Sequence, residues 1–258
     1  MSELDKLFEN PGKKLIGYLP AGYPTVANAK EVISAMVDGG VDAIEVGFPY
    51  SDPVMDGPTI QAAADQALAN GTIAKDVMET LEYAADLAPS VVMTYWNPIE
   101  RYGVSNFARD LANAGGSGTI TPDLTVEEAQ AWLSACNENE INPIFVVAPS
   151  SNDQRLQKVV NSAGGFVYAA SLMGVTGARN QISNAAEVLV NRVRKFTKLP
   201  VCVGLGVSNA TQAESVAKYA DGVIVGSAFI NALNSASEFK SGVIAVNKLA
   251  KELKAGIA

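Results

Sequence analysis

The chain contains no histidine. That absence removes Ser-His and Cys-His nucleophiles and any His-ligated metal centre. Cysteine is nearly missing too. Cys136 and Cys202 make no ligand spacing and no obvious pair. No metal site is therefore expected, and the two are read as buried free thiols of a cytoplasmic protein. Positive charge is scarce, with 19 Lys and Arg against 27 Asp and Glu and a net charge of -8. Nucleic acid and anionic membrane surfaces both need a basic patch, so neither is an expected partner. No apolar run approaches the length of a membrane span, and residues 1–14 are too polar for a signal peptide. General acid–base chemistry must fall to Asp, Glu, Tyr or Lys.

What is present is an ordinary globular composition, 48% apolar and 18% charged over 258 residues. No composition shift or flexible linker divides it, so 1–258 is read as a single domain. Short apolar runs alternate with amphipathic stretches along the whole chain. A short helix over 2–9 precedes a strand at 14–19. Thr25 caps a helix through 37, and a strand follows at 42–46. Helices are expected at 59–68 and 74–87, then a strand at 90–94, a turn at 95–98 and a helix at 105–114. After a strand at 118–121, Thr125 and Glu128 have capping-box spacing for a helix through 137. Strands at 143–147, 166–170, 201–204 and 222–225 alternate with helices at 153–162, 184–196 and 209–219. Gly226-Ser227 opens a short helix, and 245–254 closes the chain.

Continuous apolar strands, each followed by a helix, signify a parallel sheet covered by helices. Eight such units point to one closed (β/α)8 TIM barrel. A short N-terminal helix and extra helices in loops 2 and 8, after the second and eighth strands, complete the expected architecture. Glycine pairs at 39–40, 115–116 and 164–165 repeat at helix ends just before strands.

Chemistry in such a barrel belongs at the C-terminal ends of the strands. Glu45 lies within the second apolar run, where a carboxylate is costly unless it is paired, hydrogen-bonded or used. Asp52 and Asp56 follow in the loop; Asp52 reads as a turn residue before Pro53. Carboxylates of different depth at one strand end allow one to act as acid and another as base. Tyr95, Asn97, Asp123 and Tyr168 stand at other strand ends. Every lysine falls on a helix or before a strand, which argues against a Schiff base. Glycines follow the last three strands: 174 and 177, 204 and 206, and 226 before Ser227. Together they suit a phosphate held by backbone amides at a helix N-terminus, without a lysine.

The motifs at 17–24, 44–53 and 56–61, with Pro122-Asp123-Leu124, Gly174-Val175-Thr176-Gly177 and Gly226-Ser227, run in unbroken order over nearly the whole chain. In these the chain resembles the tryptophan synthase alpha subunit family. The resemblance implies retro-aldol cleavage of indole-3-glycerol phosphate to indole and glyceraldehyde 3-phosphate. It implies Glu45, Asp56 and Tyr168 as the catalytic residues. Phe48, Tyr50, Thr176 and Leu205 would contact substrate, and Gly177, Gly206, Gly226 and Ser227 would bind phosphate. It also implies a beta subunit partner in an alpha-beta-beta-alpha complex, with pyridoxal phosphate in that partner and no cofactor in this chain. The segments 48–57 and 95–102 are the expected contacts. Met55, Leu172-Met173 and Leu205 depart from the commoner pattern by apolar changes that bear on loop closure and indole contacts. A stand-alone lyase, a phosphosugar isomerase and a scaffolding subunit with weakened catalysis are the rival readings.

Overall fold

The computed structural model describes residues 1–170, 182–204 and 206–258. Its sheet is wholly parallel in every pairing. From β1 (Lys14–Pro20) one arm runs through β2 (Ala43–Gly47), β3 (Ser90–Met93), β4 (Gly118–Ile120) and β5 (Asn142–Ile144). The other arm runs through β9 (Gly222–Val225), β8 (Val201–Gly204), β7 (Val167–Ala170) and β6 (Val146–Val147). β5 and β6 are consecutive halves of one stretch, separated only by Phe145. One half pairs with β4 and the other with β7, so the sheet closes on itself. The expected eight-stranded barrel is present, with the expected 143–147 strand split at its middle.

The interior follows from the two-residue period of a strand. Ile16, Ala43, Val91, Ile120, Ile144, Cys202 and Ile224 point inward from seven strand positions, and Phe166 does so just ahead of β7. Leu4 of α1 (Glu3–Glu9) joins them fully buried and closes the N-terminal end of the barrel. Burying such a leucine contributes roughly 2 kcal/mol. Ser2 holds α1 in place through a reciprocal capping box with Asp5.

The covering helices match expectation at most boundaries. α2 (Val26–Asp38) is capped by Thr25, and α8 (Asp153–Ser162) by Asn152. α10 (Ala210–Ala217) is capped by Asn209. The remaining outer helices include α3 (Pro58–Ala69), α4 (Ala74–Ala85), α6 (Val104–Asn113) and α9 (Ile182–Val193). α11 (Ser227–Asn234) is the extra helix after the last strand, and α12 (Phe239–Gly256) is longer than the expected 245–254.

Two local readings need correction. The stretch expected as a turn at 95–98 opens a helix, α5 (Trp96–Tyr102). Pro98 is tolerated because it lies in the first turn, where an N–H has no intrahelical acceptor to lose. The capping box at Thr125 and Glu128 does not start a helix; the next helix is α7 (Gln130–Glu138). The Thr125 hydroxyl donates to the Glu128 carboxylate at 2.9 Å, and residues 125–129 form turns instead.

Candidate active site

Glu45 is the inward-facing residue one layer above Ala43 on β2, and it is 1% exposed. Its Oε2 is buried with no hydrogen-bond partner among the described residues. Removing a carboxylate from water penalises its charged form. Burial, reinforced by the Asp56 charge, pushes the Glu45 pKa up to about 8. The group is therefore mostly protonated at neutral pH and available as an acid.

Asp56 reaches the same space from the loop 48–57. It is half-buried, and burial raises its pKa to about 6 against the lowering effect of the Tyr95 hydroxyl. The two carboxylates thus differ in the way that lets one give a proton while the other stays ionised. Asp52 keeps its turn role: it is exposed, its carbonyl accepts from Val54 N–H at 2.9 Å, and Ser51 Oγ donates to its carboxylate at 2.6 Å.

Three phenols surround the pair. Tyr168 projects from β7 and, with its pKa raised by burial, stays neutral. Tyr95 follows β3, and burial likewise keeps its hydroxyl protonated. Tyr18 of β1 faces Glu45 in the strand register, and its pKa is driven up first by burial, then by the charges of Asp56 and Glu45. Tyr18 ranks with these groups although sequence reasoning gave it no role. The signal was there in part: Ile16 and Tyr18 share the inward parity of β1, and Gly47 and Gly226 make room for the ring. A Cβ on Gly47 would lie 2.4 Å from the Tyr18 hydroxyl, and one on Gly226 3.0 Å from its Cδ1.

Glycines follow the last two strands. Gly206 has φ +64, a conformation only glycine adopts without strain. Gly226 caps α11 without a side-chain hydrogen bond, and Ser227 is the first residue of that helix. The first two amides of α11 therefore have no acceptor within the helix, an arrangement suited to an anion. Thr176, Gly177 and Leu205, together with Gly174, Leu172 and Met173, lie outside the described residues.

Phe48 and Tyr50 run along a groove of about 490 Å³ between the loop 48–57 and α5, which Asp52, Asn97, Arg101 and Tyr102 also line. Phe48 packs on Phe107 with ring centroids 6.4 Å apart, and Tyr50 on Tyr95 at 5.4 Å. Val54 and Met55 at the loop tip are 78% and 51% exposed. Asp123 accepts the Trp96 N–H with both oxygens, at 2.9 and 3.1 Å, and so fixes the start of α5. Among the described residues no cluster of Asp, Glu and Cys is arranged to hold a metal ion, and no helix is long and apolar enough to cross a membrane.

A family model described as tryptophan synthase alpha chain matches residues 4–258. A tryptophan synthase alpha chain from Thermobifida fusca is 56% identical over 247 residues, covering 94% of this chain and 92% of that one. Its counterpart from Streptomyces avermitilis is 54% identical, covering 94% and 88%. Among solved structures, a chain of tryptophan synthase from M. tuberculosis in an aminoacrylate-bound form superposes with a TM-score of 0.91 at 47% identity, over 100% of both chains. The tryptophan synthase subunit alpha of Legionella pneumophila does so at 0.90 and 31% identity, over 100% and 98%.

Proposed function

The chain belongs to the tryptophan synthase alpha chain family, and on that premise we propose how its residues carry the family's reaction. A tryptophan synthase alpha chain is a lyase, the indole-generating half of the enzyme, and cleaves indole-3-glycerol phosphate to indole and glyceraldehyde 3-phosphate. Breaking that carbon–carbon bond needs a place for its electrons. The indole ring itself takes them once C3 is protonated.

Glu45, protonated at neutral pH, delivers that proton to C3. The ring nitrogen becomes cationic, and ionised Asp56 stabilises its N–H. Glu45, now a carboxylate, takes the proton of the hydroxyl on the carbon attached to the ring. The carbon–carbon bond breaks, its electrons return to the ring, and the hydroxyl-bearing carbon leaves as the aldehyde. Glu45 ends protonated and ready for the next turnover. Tyr168 borders the reacting centre. Gly206, Gly226 and Ser227, with Gly177, hold the phosphate through backbone amides, and Phe48, Tyr50, Thr176 and Leu205 contact the rest of the substrate. The observation that carries this reading is the buried Glu45, unpartnered at Oε2 and paired with a shallower Asp56.

The partner side follows from the groove between the loop 48–57 and α5. That groove, with the exposed Val54 and Met55 on the same loop, suits the docking of a beta subunit, in an alpha-beta-beta-alpha complex. Pyridoxal phosphate belongs to that partner and not to this chain. The chain acts as one cytoplasmic domain, 1–258.

Indole release from indole-3-glycerol phosphate, measured for the wild-type chain and Glu45→Gln with and without a beta subunit, tests the reading. Loss of turnover in the variant with substrate binding retained is the expected result. A wild-type chain that releases no indole in either setting would overturn it and bring the scaffolding reading forward.

A further inference from the structure

One phenol from the end of β3 holds the backbone next to Asp56. Met55 N–H donates to the Tyr95 hydroxyl at 3.0 Å, a contact spanning forty residues of sequence. A phenol accepts and donates at once, so its proton remains for the neighbouring Asp56 carboxylate, with which the hydroxyl interacts. The other hydrogen bonds of the segment are local. Asp56 N–H donates to Pro53 O at 3.0 Å, and Gln61 Nε2 of α3 to Asp56 O at 2.8 Å.

Tyr95 is itself held from three directions. It is 4% exposed at the end of β3. Its ring lies against Tyr50 from the same loop. The next residue's amide is fixed by the Asp123 carboxylate from the end of β4. The phenol oxygen is thus a rigid point of the barrel facing an otherwise exposed loop tip.

We propose that Tyr95 is the positioning residue of the loop carboxylate: by taking the Met55 amide and giving its own proton to Asp56, its hydroxyl sets where that carboxylate stands relative to Glu45. This role rests on the reaction proposed above. Among the described residues, the groups that face Asp56 are Tyr18 from β1, Glu45 from β2, Tyr95 from β3 and Tyr168 from β7, with Asp123 beyond Tyr95. None is a cation. The Tyr95 donor is what opposes burial in keeping Asp56 ionised. Loss of the donor raises the Asp56 pKa further, so the acid limb of kcat/KM moves to higher pH.

The test is the pH profile of indole release by the full chain, alone and with a beta subunit, for wild type and Tyr95→Phe. The expected result is an acid limb displaced upward by about half a unit or more. At neutral pH kcat falls about 10- to 100-fold through the misplaced carboxylate, while inhibition by inorganic phosphate changes less than about twofold, because the glycine site is untouched. A fluorotyrosine placed at position 95 keeps the ring and makes the phenol a stronger donor. It should move the limb the opposite way, which a packing role cannot do. An acid limb unmoved by either change overturns the proposal. A wild-type chain without activity overturns the underlying reaction instead, so the two failures are distinguishable.

Discussion

The Tyr168 hydroxyl lies over the α-carbon of Gly204, so close that a Cβ there would stand 2.2 Å from the oxygen and 2.8 Å from the ring carbon that bears it. The two residues sit on neighbouring strands, β7 and β8, where Ala170 and Gly204 are in register. The phenol therefore occupies the space that a side chain on β8 would fill.

Gly204→Ala should expel the ring. We expect stability to fall by about 1–3 kcal/mol and kcat/KM by roughly tenfold or more. Urea unfolding and indole release measure the two effects. In a Tyr168→Leu background the added methyl meets no phenol, so the stability cost of Gly204→Ala should shrink. A double-mutant cycle without coupling would contradict the contact.

Burial of Glu45 makes stability depend on pH in a stated direction. The group ionises near 4.5 when free and near 8 in the fold. Between those values the unfolded chain has shed a proton that the folded chain keeps, so stability falls as pH rises through that window. Glu45→Gln should remove this slope. Near pH 8 the variant should be more stable than wild type by roughly 2–4 kcal/mol, and near pH 4 the two should converge. Urea titrations at the two ends of the window check it.

Asp56 contributes to the raised pKa of Glu45, second to burial. Asp56→Asn should lower the Glu45 pKa without returning it to the ordinary value, since burial remains. A carboxyl-carbon NMR titration of Glu45 in both proteins reads the change. An unchanged value would mean that the two carboxylates do not sense each other.

The opposite end of the barrel should affect stability without affecting chemistry. Lys254 of α12 donates to both carboxylate oxygens of Asp42 at 2.8 and 2.6 Å, and Leu15 N–H donates to one of them at 2.7 Å. These groups tie the last helix to the N-terminal ends of β1 and β2. Asp42→Ala should cost about 2 kcal/mol by leaving a buried amide and a cation without their acceptor. It should leave kcat/KM within about twofold, because conserved chemistry in such barrels sits at the other face.

Much of the fold was legible because a barrel strand is buried on both faces and so appears as an unbroken apolar run. The strands at 201–204 and 222–225 have the expected limits for that reason. The helix at 153–162 does too, since Asn152 caps it through the Arg155 amide at 2.8 Å. The misread elements are those whose partners lie in another unit. α5 replaces a turn because Asp123, from the end of β4, holds the Trp96 amide. Thr125 and Glu128 satisfied a helix-start pattern, yet their side chains bond each other, and the Glu128 amide donates to the Thr125 carbonyl in a turn. The break at Phe145 depends on where the two halves of the sheet meet, which no local pattern records.

In the site, residue identity was readable but placement was not. Glu45 stood out as an acid in an apolar run, and Asp56 as an acid in a loop rich in proline and glycine. Tyr18 did not, because inward and outward positions alternate along β1 and only the closure of the sheet assigns the parity. Tyr95 was visible at a strand end, but its grip on Met55 joins segments forty residues apart.

The sequence by itself determined what chemistry the chain is able to do. A chain without histidine, and with no lysine expected at a strand end, leaves proton transfer to carboxylates and phenols, and eight apolar runs separated by helices dictate a closed barrel. Only the tertiary structure decided which carboxylate holds its proton at neutral pH and which gives it up. A pKa is set by burial and by neighbouring charges, and both arise when β2, the loop 48–57 and the ends of β1, β3 and β7 converge on one space.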